Sequence, residues 1–254
     1  MADRGISTDG SHEAARLRSY YAATAGTYDE LHDGDEEHQI ALWLTAAFLR
    51  RLQPASLLDV GCGTGRALSY LRAEFPDLAL RGADPSPDML RVATERHGIP
   101  AEWLDVTGER LPYPDSAFDV AVATGVLHHV AEPDRLIDEM LRVARSAVFI
   151  SDGNKYGNAP VAMSCIKIGA RALGVIRQLE WLRHGGKHYT ISASDGLGYP
   201  FSVFDHVEQL RSRCQTVLVI PTRGRPNMTT RPLMHASHAL VCALKSPLRQ
   251  HAGL

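Results

Sequence analysis

Cysteine is scarce in this chain. Cys62, Cys165, Cys214 and Cys242 stand alone among 254 residues, with no CxxC pair. That excludes a sequence-evident zinc ribbon or redox dithiol and points to a reducing compartment. Long apolar runs are missing too: no window approaches eighteen uninterrupted apolar residues, so no membrane span is expected. The N-terminus, MADRGISTDGSHEAARLRSYY, has no apolar core of signal-peptide length and mixes acids with bases. Nor does one sign of charge dominate. The formal net charge is -2, and the basic residues, mostly arginine, are spread along the chain. No footprint for nucleic acid or a membrane surface results. The expectation is a soluble cytoplasmic protein, monomeric or homodimeric.

What is present is alternation. Residues 1–12 are polar and read as a disordered tail, with one domain over 13–254. A helical pattern from Glu13 to Leu31 is broken by Gly26, and a stronger helix spans Glu37 to Arg51, stopped by Gln53-Pro54. SLLDVGC then reads as a buried parallel strand and TGRALSYLRAEF as the helix after it. LALRGADP is a second strand, and SPDMLRVATERHG a helix opened by Ser86-Pro87. AEWLDV is a third strand and FDVAVATGVLHHV a fourth. PDRLIDEMLRVAR is a helix and SAVFISDG a fifth strand. Strand and helix alternating over short connections predict an α/β fold, a doubly wound, mostly parallel sheet. The pattern lapses over 154–200, where one helix, Val161 to Arg183, and a Gly-rich loop form a substrate-side insertion or lid. It resumes with VFDHVEQLRSR, QTVLVIPT and ALVCALK.

The stretch LLDVGCGTG, residues 57–65, joins the first strand to its helix. Gly61, Gly63 and Gly65 let a ligand approach the backbone where a side chain would collide, with Cys62 between them. The helix that follows turns free N–H groups toward an anion. A dinucleotide fingerprint fails on the count: position 66 is Arg and position 68 is Leu where GxGxxG requires glycine or alanine. The loop is GxGxG, with Asp59 two places before its first glycine.

This arrangement resembles motif I of the class I S-adenosylmethionine-dependent methyltransferases. The resemblance continues with Asp84 ending the second strand in RGADPSPDML and Asp105 ending the third in EWLDV. LPYPDSAFDVAVATGVLHHV is similar to the ubiquinone/menaquinone-biosynthesis type, and the likeness covers about residues 55–152. It implies a seven-stranded sheet of order 3-2-1-4-5-7-6 with the last strand antiparallel. It also implies S-adenosylmethionine as cofactor, with Asp59 serving the ammonium directly or through water and Asp84 the ribose diol beside Pro85. Asp105 would serve the adenine amine, with the Val106 amide on a ring nitrogen and Met89 on the adenine face. Thr124 and Gly125 would lie near the methionine portion. YYAATAGTYDEL resembles the family's N-terminal cover, which makes Tyr20, Tyr21 and Tyr28 candidate contacts.

A methyl on a sulfonium is already electrophilic, so positioning carries much of the catalysis, and a base helps a hydroxyl or carbon acid. His129, in the His128-His129 pair after the fourth strand, is the candidate base; His188 and Tyr189 in the insertion are candidate substrate-facing groups. No metal site is expected: His184 and His188 flank Gly185-Gly186, which break a helical ligand spacing. The implied reaction is methyl transfer to a small-molecule acceptor, O-methylation first. C- or N-methylation, or a non-catalytic S-adenosylmethionine-binding module, stay open.

Overall fold

The computed structural model describes residues 8–107, 110–192 and 195–246. The N-terminal part holds α1 (Thr8–Thr24), α2 (Tyr28–Leu31) and α3 (Glu36–Leu52). The alternating part follows: β1 (Ser56–Val60), α4 (Arg66–Glu74), β2 (Ala79–Asp84), α5 (Pro87–His97) and β3 (Leu104–Val106). It continues through β4 (Phe118–Thr124), α6 (Pro133–Val143) and β5 (Ala144–Gly153). The insertion holds α7 (Val161–Ala172), α8 (Ile176–Arg183), β6 (Thr190–Ser192) and β7 (Gly196–Gly198). The chain then returns through α9 (Val207–Arg213), β8 (Thr216–Gly224), α10 (Pro232–His235) and β9 (Ala236–Leu244).

The large sheet has seven strands in the order β3-β2-β1-β4-β5-β9-β8, with β9 antiparallel to both neighbours. Counted within this sheet, that is the expected 3-2-1-4-5-7-6. Its central strands are buried on both faces, as a parallel sheet under helices must be: Leu57 and Leu58, adjacent on β1, are both fully buried. One core cluster lies toward α6 and α9, through Ile137, Met140, Leu210 and Val241; the other lies toward α3, α4 and α5, through Leu49, Leu68, Ala93 and Phe149. α5 shows how local signals set an element. Ser86 Oγ caps its start by accepting from the Met89 amide, Pro87 fits the first turn, and Gly98 (φ +60°) ends it.

Several boundaries differ from the sequence reading. The first helix begins at Thr8, inside the expected tail; residues 1–7 of that tail lie outside the described residues. The break expected at Gly26 is a 3-10 turn, Ala25–Thr27. The third strand is only Leu104–Val106, because Ala101–Trp103 curl into a 3-10 turn after Pro100. The fourth strand ends at Thr124, where Gly125 (φ +68°) turns the chain into a 3-10 turn, Leu127–His129. The helix expected from Val161 to Arg183 is two helices, because Gly174 takes φ +72° between them. α6 passes directly into β5 with no turn residue, since Ala144 is already extended.

The insertion is closed at its base. Asn154 and Ser202 form an antiparallel bridge, Ser202 Oγ donates to Asn154 Oδ1 (2.8 Å), and the Lys155 amide donates to the Phe201 carbonyl (2.9 Å). Among the described residues no helix is long and apolar enough to cross a membrane.

Candidate active site

The carboxyl ends of β1, β2, β4 and β5 open on a cavity of about 1020 Å³, roofed by α1, α2 and the insertion. Open α/β sheets bind ligands at this edge, where the strand order reverses. At its floor the glycine loop folds back over β2: the Gly61 and Cys62 amides both donate to the Ala83 carbonyl (2.7 and 3.2 Å). The three glycines are not equivalent. A Cβ on Gly63 (φ +52°) would meet nothing within 4 Å, so that position borders open space. A Cβ on Gly61 would fall 2.5 Å from Val126 Cγ2, and one on Gly65 3.0 Å from Ala93 Cβ. Gly65 therefore serves the packing of α4 against α5.

Two buried carboxylates lie beside this loop. Asp84 accepts the Gly63 amide on Oδ2 (2.9 Å) and the Ser86 amide on Oδ1 (2.8 Å). Burial still lifts its carboxyl to about 6, against those two bonds. Asp59 is 2 % exposed, and its Oδ2 has no hydrogen-bond partner among the described residues. Burial, reinforced by the negative Asp84, pushes it up to about 8. A buried acid left unsatisfied beside a second acid is costly, and a cation placed there relieves it.

The opposite wall is built around His128. Its Nδ1–H donates to Asp152 Oδ1 (2.8 Å), and its Nε2 lies 3.1 Å from Asp195 Oδ2. Burial alone would lower this imidazole, but Asp152 and Asp195 outweigh burial and raise it to about 10. Asp152 is fully buried; His128 overcomes its desolvation and holds it at about 2. Asp152 Oδ2 also accepts the Leu127 and His128 amides, which fixes the turn after β4. His129 donates from Nδ1 to the Leu197 carbonyl (2.7 Å). That bond leaves the lone pair of a neutral ring on Nε2, which is buried, lacks a hydrogen bond and lies 3.4 Å from Asp195 Oδ1. The Tyr21 ring stands edge-on to His129, 5.8 Å away. Burial, with Tyr28 next, keeps the Tyr21 hydroxyl well above its usual range, so it stays neutral.

The cover is tied to the floor. Thr64 Oγ1 donates to Asp29 Oδ1 (2.6 Å), and His97 Nε2 lies 2.8 Å from Asp29 Oδ2. Arg66 donates to the His32 carbonyl (3.1 Å). On the other side Arg142 donates to the Tyr113 and Leu111 carbonyls (2.7 and 3.1 Å), and Glu139 accepts the Leu111 amide (3.0 Å). This pins the loop whose Tyr113 hydroxyl donates to Asp105 (2.6 Å).

Comparison with known proteins bears on this geometry. The family described as "Methyltransferase domain" matches residues 58–150, the span carrying the loop, the acids and the histidine pair. Over that span the chain is similar to the class I S-adenosylmethionine-dependent methyltransferases. An uncharacterized methyltransferase of Mycolicibacterium gilvum is 37% identical over 157 residues, 56% of this chain and 59% of its own length. The malonyl-[acyl-carrier protein] O-methyltransferase of Hahella chejuensis is 29% identical over 137 residues, 54% of this chain and 48% of its own. The chain thus spans about half the length of these curated relatives. The crystal structure of Burkholderia thailandensis 1,6-didemethyltoxoflavin-N1-methyltransferase, with bound 1,6-didemethyltoxoflavin and S-adenosylhomocysteine, shares the fold at TM-score 0.58 and 17% identity. It covers 96% of this chain and 93% of its own.

Within this methyltransferase fold, the cavity is lined by Asp59, Gly61, Cys62, Gly63, Asp84, Pro85, Met89, Thr124, Tyr28 and His129 of the sequence candidates. Six others lie off it. Gly65 faces the core, as above. Asp105 is engaged by Tyr113, and Val106 is exposed; their neighbour Thr107 lines the cavity instead, its amide donating to the Asp84 carbonyl (3.2 Å). Tyr20 packs against Gly196 of β7, where a Cβ would fall 2.6 Å from its ring, and Tyr21 takes the cavity position. His188 is exposed, and Tyr189 lies under the Lys187 ammonium (5.9 Å), because the glycines before them carry the chain outward. Sequence reasoning missed Asp152, Asp195 and Asp29. Asp152 was findable, since ISDG ends a strand with an acid as LLDVG and RGADP do at Asp59 and Asp84. Asp195 carries no such signal.

Proposed function

We propose that this chain transfers a methyl group from S-adenosylmethionine to a small-molecule acceptor. The observation that carries the reading is Asp59, a buried carboxylate with an unpartnered oxygen beside a glycine loop that leaves room at Gly63. A ligand with an ammonium and a sulfonium fits this negative floor, and a pyrophosphate does not. When bound, S-adenosylmethionine supplies an electrophilic methyl. Asp59 would hold its ammonium. Asp84 would hold its ribose diol, since each carboxylate oxygen keeps acceptor capacity after its amide bond. Met89, packed with Tyr21 and Tyr28, would flank the adenine, with Thr107 on the side of its amine. Thr124 and Gly125 would border the methionine portion.

The acceptor would enter between the turn after β4 and the insertion, where the cavity continues to Lys167, Glu180 and Tyr199. O-methylation is the form we favour, because the His129 Nε2 lone pair is the electron donor a hydroxyl or its partner requires there. N-methylation is the alternative, and the relatives named above include both kinds. His188 and Tyr189 would act only at the outer face of the insertion.

Calorimetric titration with S-adenosylmethionine, S-adenosylhomocysteine and NADH tests the cofactor. Binding of both sulfur compounds and not NADH is expected; binding of NADH alone overturns the reading. Formation of S-adenosylhomocysteine with phenolic and amine acceptors then distinguishes an enzyme from a binding module.

A further inference from the structure

His128 and His129 share an arrangement that a proton network leaves incomplete at one nitrogen, His129 Nε2, among the described residues. Each ring has its Nδ1–H held by an acceptor behind it, Asp152 for His128 and the Leu197 carbonyl for His129. Each therefore turns Nε2 toward the same carboxylate, Asp195, at 3.1 and 3.4 Å. Metal-binding histidines are held in this way, by a carboxylate or carbonyl on the far nitrogen. Two ligand atoms about 2.1 Å from one ion, at tetrahedral or octahedral angles, stand about 3.0–3.4 Å apart. The three donor atoms all lie within 4.8 Å of one another. Protons alone leave His129 Nε2 buried and unbonded; a cation at the centre satisfies it, and takes the place of the proton on His128 Nε2.

We propose that His128 Nε2, His129 Nε2 and Asp195 bind one divalent first-row transition ion, of the zinc or iron(II) kind. Two imidazoles and one carboxylate suit these ions and not magnesium, which prefers oxygen ligands. The ion contradicts the sequence expectation of no metal, because its third ligand comes from the β6–β7 hairpin, far along the chain. Three protein ligands leave at least one position open, and all three residues line the cavity. That position takes an acceptor oxygen, such as a phenol with a neighbouring carbonyl or hydroxyl, and lowers the pKa of its hydroxyl, so the ion and not a free His129 lone pair activates it. This role rests on the methyl-transfer reading; the binding of the ion does not.

Chelator-treated, tag-free protein titrated with Co2+ is the test. One Co2+ per chain with a visible d–d band, displaced by Zn2+, is expected. His129→Ala and Asp195→Asn should each weaken Co2+ at least about tenfold, and Asp152→Asn, which acts through His128, by about 10–100-fold. S-adenosylmethionine titrated into the same variants should bind as to the wild type, since its acids lie on the opposite wall. Wild-type protein that takes up no stoichiometric Co2+ or Zn2+ overturns the site, as does equal affinity in the variants. Should the variants fail to fold, X-ray absorption of the wild-type Co2+ form decides: two imidazoles support the site and fewer sink it. Co2+ uptake without S-adenosylmethionine binding leaves the site standing and removes the proposed function, and the converse result does the reverse.

Discussion

The floor of the cavity and its wall on the insertion side are built in opposite ways. At the floor, polar groups stand at or just past strand ends and are held by nearby backbone groups: the Gly63 and Ser86 amides donate to Asp84, and the Ala83 carbonyl accepts from the Gly61 amide. The insertion contributes through side chains and single carbonyls brought from far along the chain, Asp195 to His128 and Leu197 to His129. Its helices leave Leu173 (78 %) and Leu182 (67 %) exposed on the outside. A floor made of backbone tolerates change in few places and recognises one ligand shape. A wall made of side chains on a separate hairpin can be altered without disturbing the sheet, which is why the acceptor is proposed to lie there.

The glycines offer the sharpest way to break this contrast. Gly63→Val should abolish S-adenosylmethionine binding while far-ultraviolet circular dichroism still shows a folded chain, because the side chain enters open space. The left-handed backbone there costs roughly 1–2 kcal/mol of stability. Gly65→Val should instead lower the melting temperature steeply through collision with Ala93 and Ile99. If the two variants behave alike, the division between ligand-side and core-side glycines is wrong.

Asp84→Ala comes next. It should weaken S-adenosylmethionine by about 1.5–3 kcal/mol, roughly tenfold to a hundredfold, by removing charge-assisted bonds. Unchanged affinity in calorimetry would detach Asp84 from the ligand.

The floor should also respond to pH. Asp59 and Asp84 are held at about 8 and about 6, above an unfolded value of about 3.9. The native state therefore keeps protons that the unfolded chain releases, so these acids cost least stability at low pH. Their contribution should worsen as pH rises from about 4 through 6 and 8. Melting of the ligand-free protein should show less stability at pH 8.5 than at pH 5.5 from this source, and Asp59→Asn should flatten the slope. S-adenosylmethionine should release a proton on binding near pH 7, visible as a buffer-dependent enthalpy; an enthalpy independent of buffer would refute the Asp59–ammonium pairing.

The smallest effect belongs to the insertion's outer face. His188→Ala should shift stability by no more than about 0.5 kcal/mol and leave turnover unaltered. A marked loss of turnover would bring that loop back to the acceptor.

Much of the floor was legible because its signals are local. A buried strand running into glycines, a Ser-Pro helix start, and an acid at a strand end each lie within a few residues, and LLDVGCGTG and RGADPSPDML carry them openly. Of the candidate tyrosines, Tyr21 lines the cavity and Tyr20 does not, because one residue of helix rotation, about 100°, decides which of two adjacent side chains faces it. Asp105 and Val106 lie off the cavity because β3 is short and Tyr113 donates to the acid. His188 and Tyr189 fall in a segment with no periodic pattern to orient them, where Gly185 and Gly186 both take positive φ.

By itself the sequence determined the alternating sheet, the place of the glycine loop and the run of acids that follows it. Hydrophobic period, turn chemistry and strand-end acids are properties of neighbouring residues, so they can be read from the chain. Only the tertiary structure decided that Asp59 Oδ2 is left without a hydrogen-bond partner among the described residues and that Asp152 stands behind His128. It alone brought Asp195 across to the two histidines. Those are distances between residues up to 67 positions apart, set by how the hairpin packs over the sheet, and no local pattern encodes them.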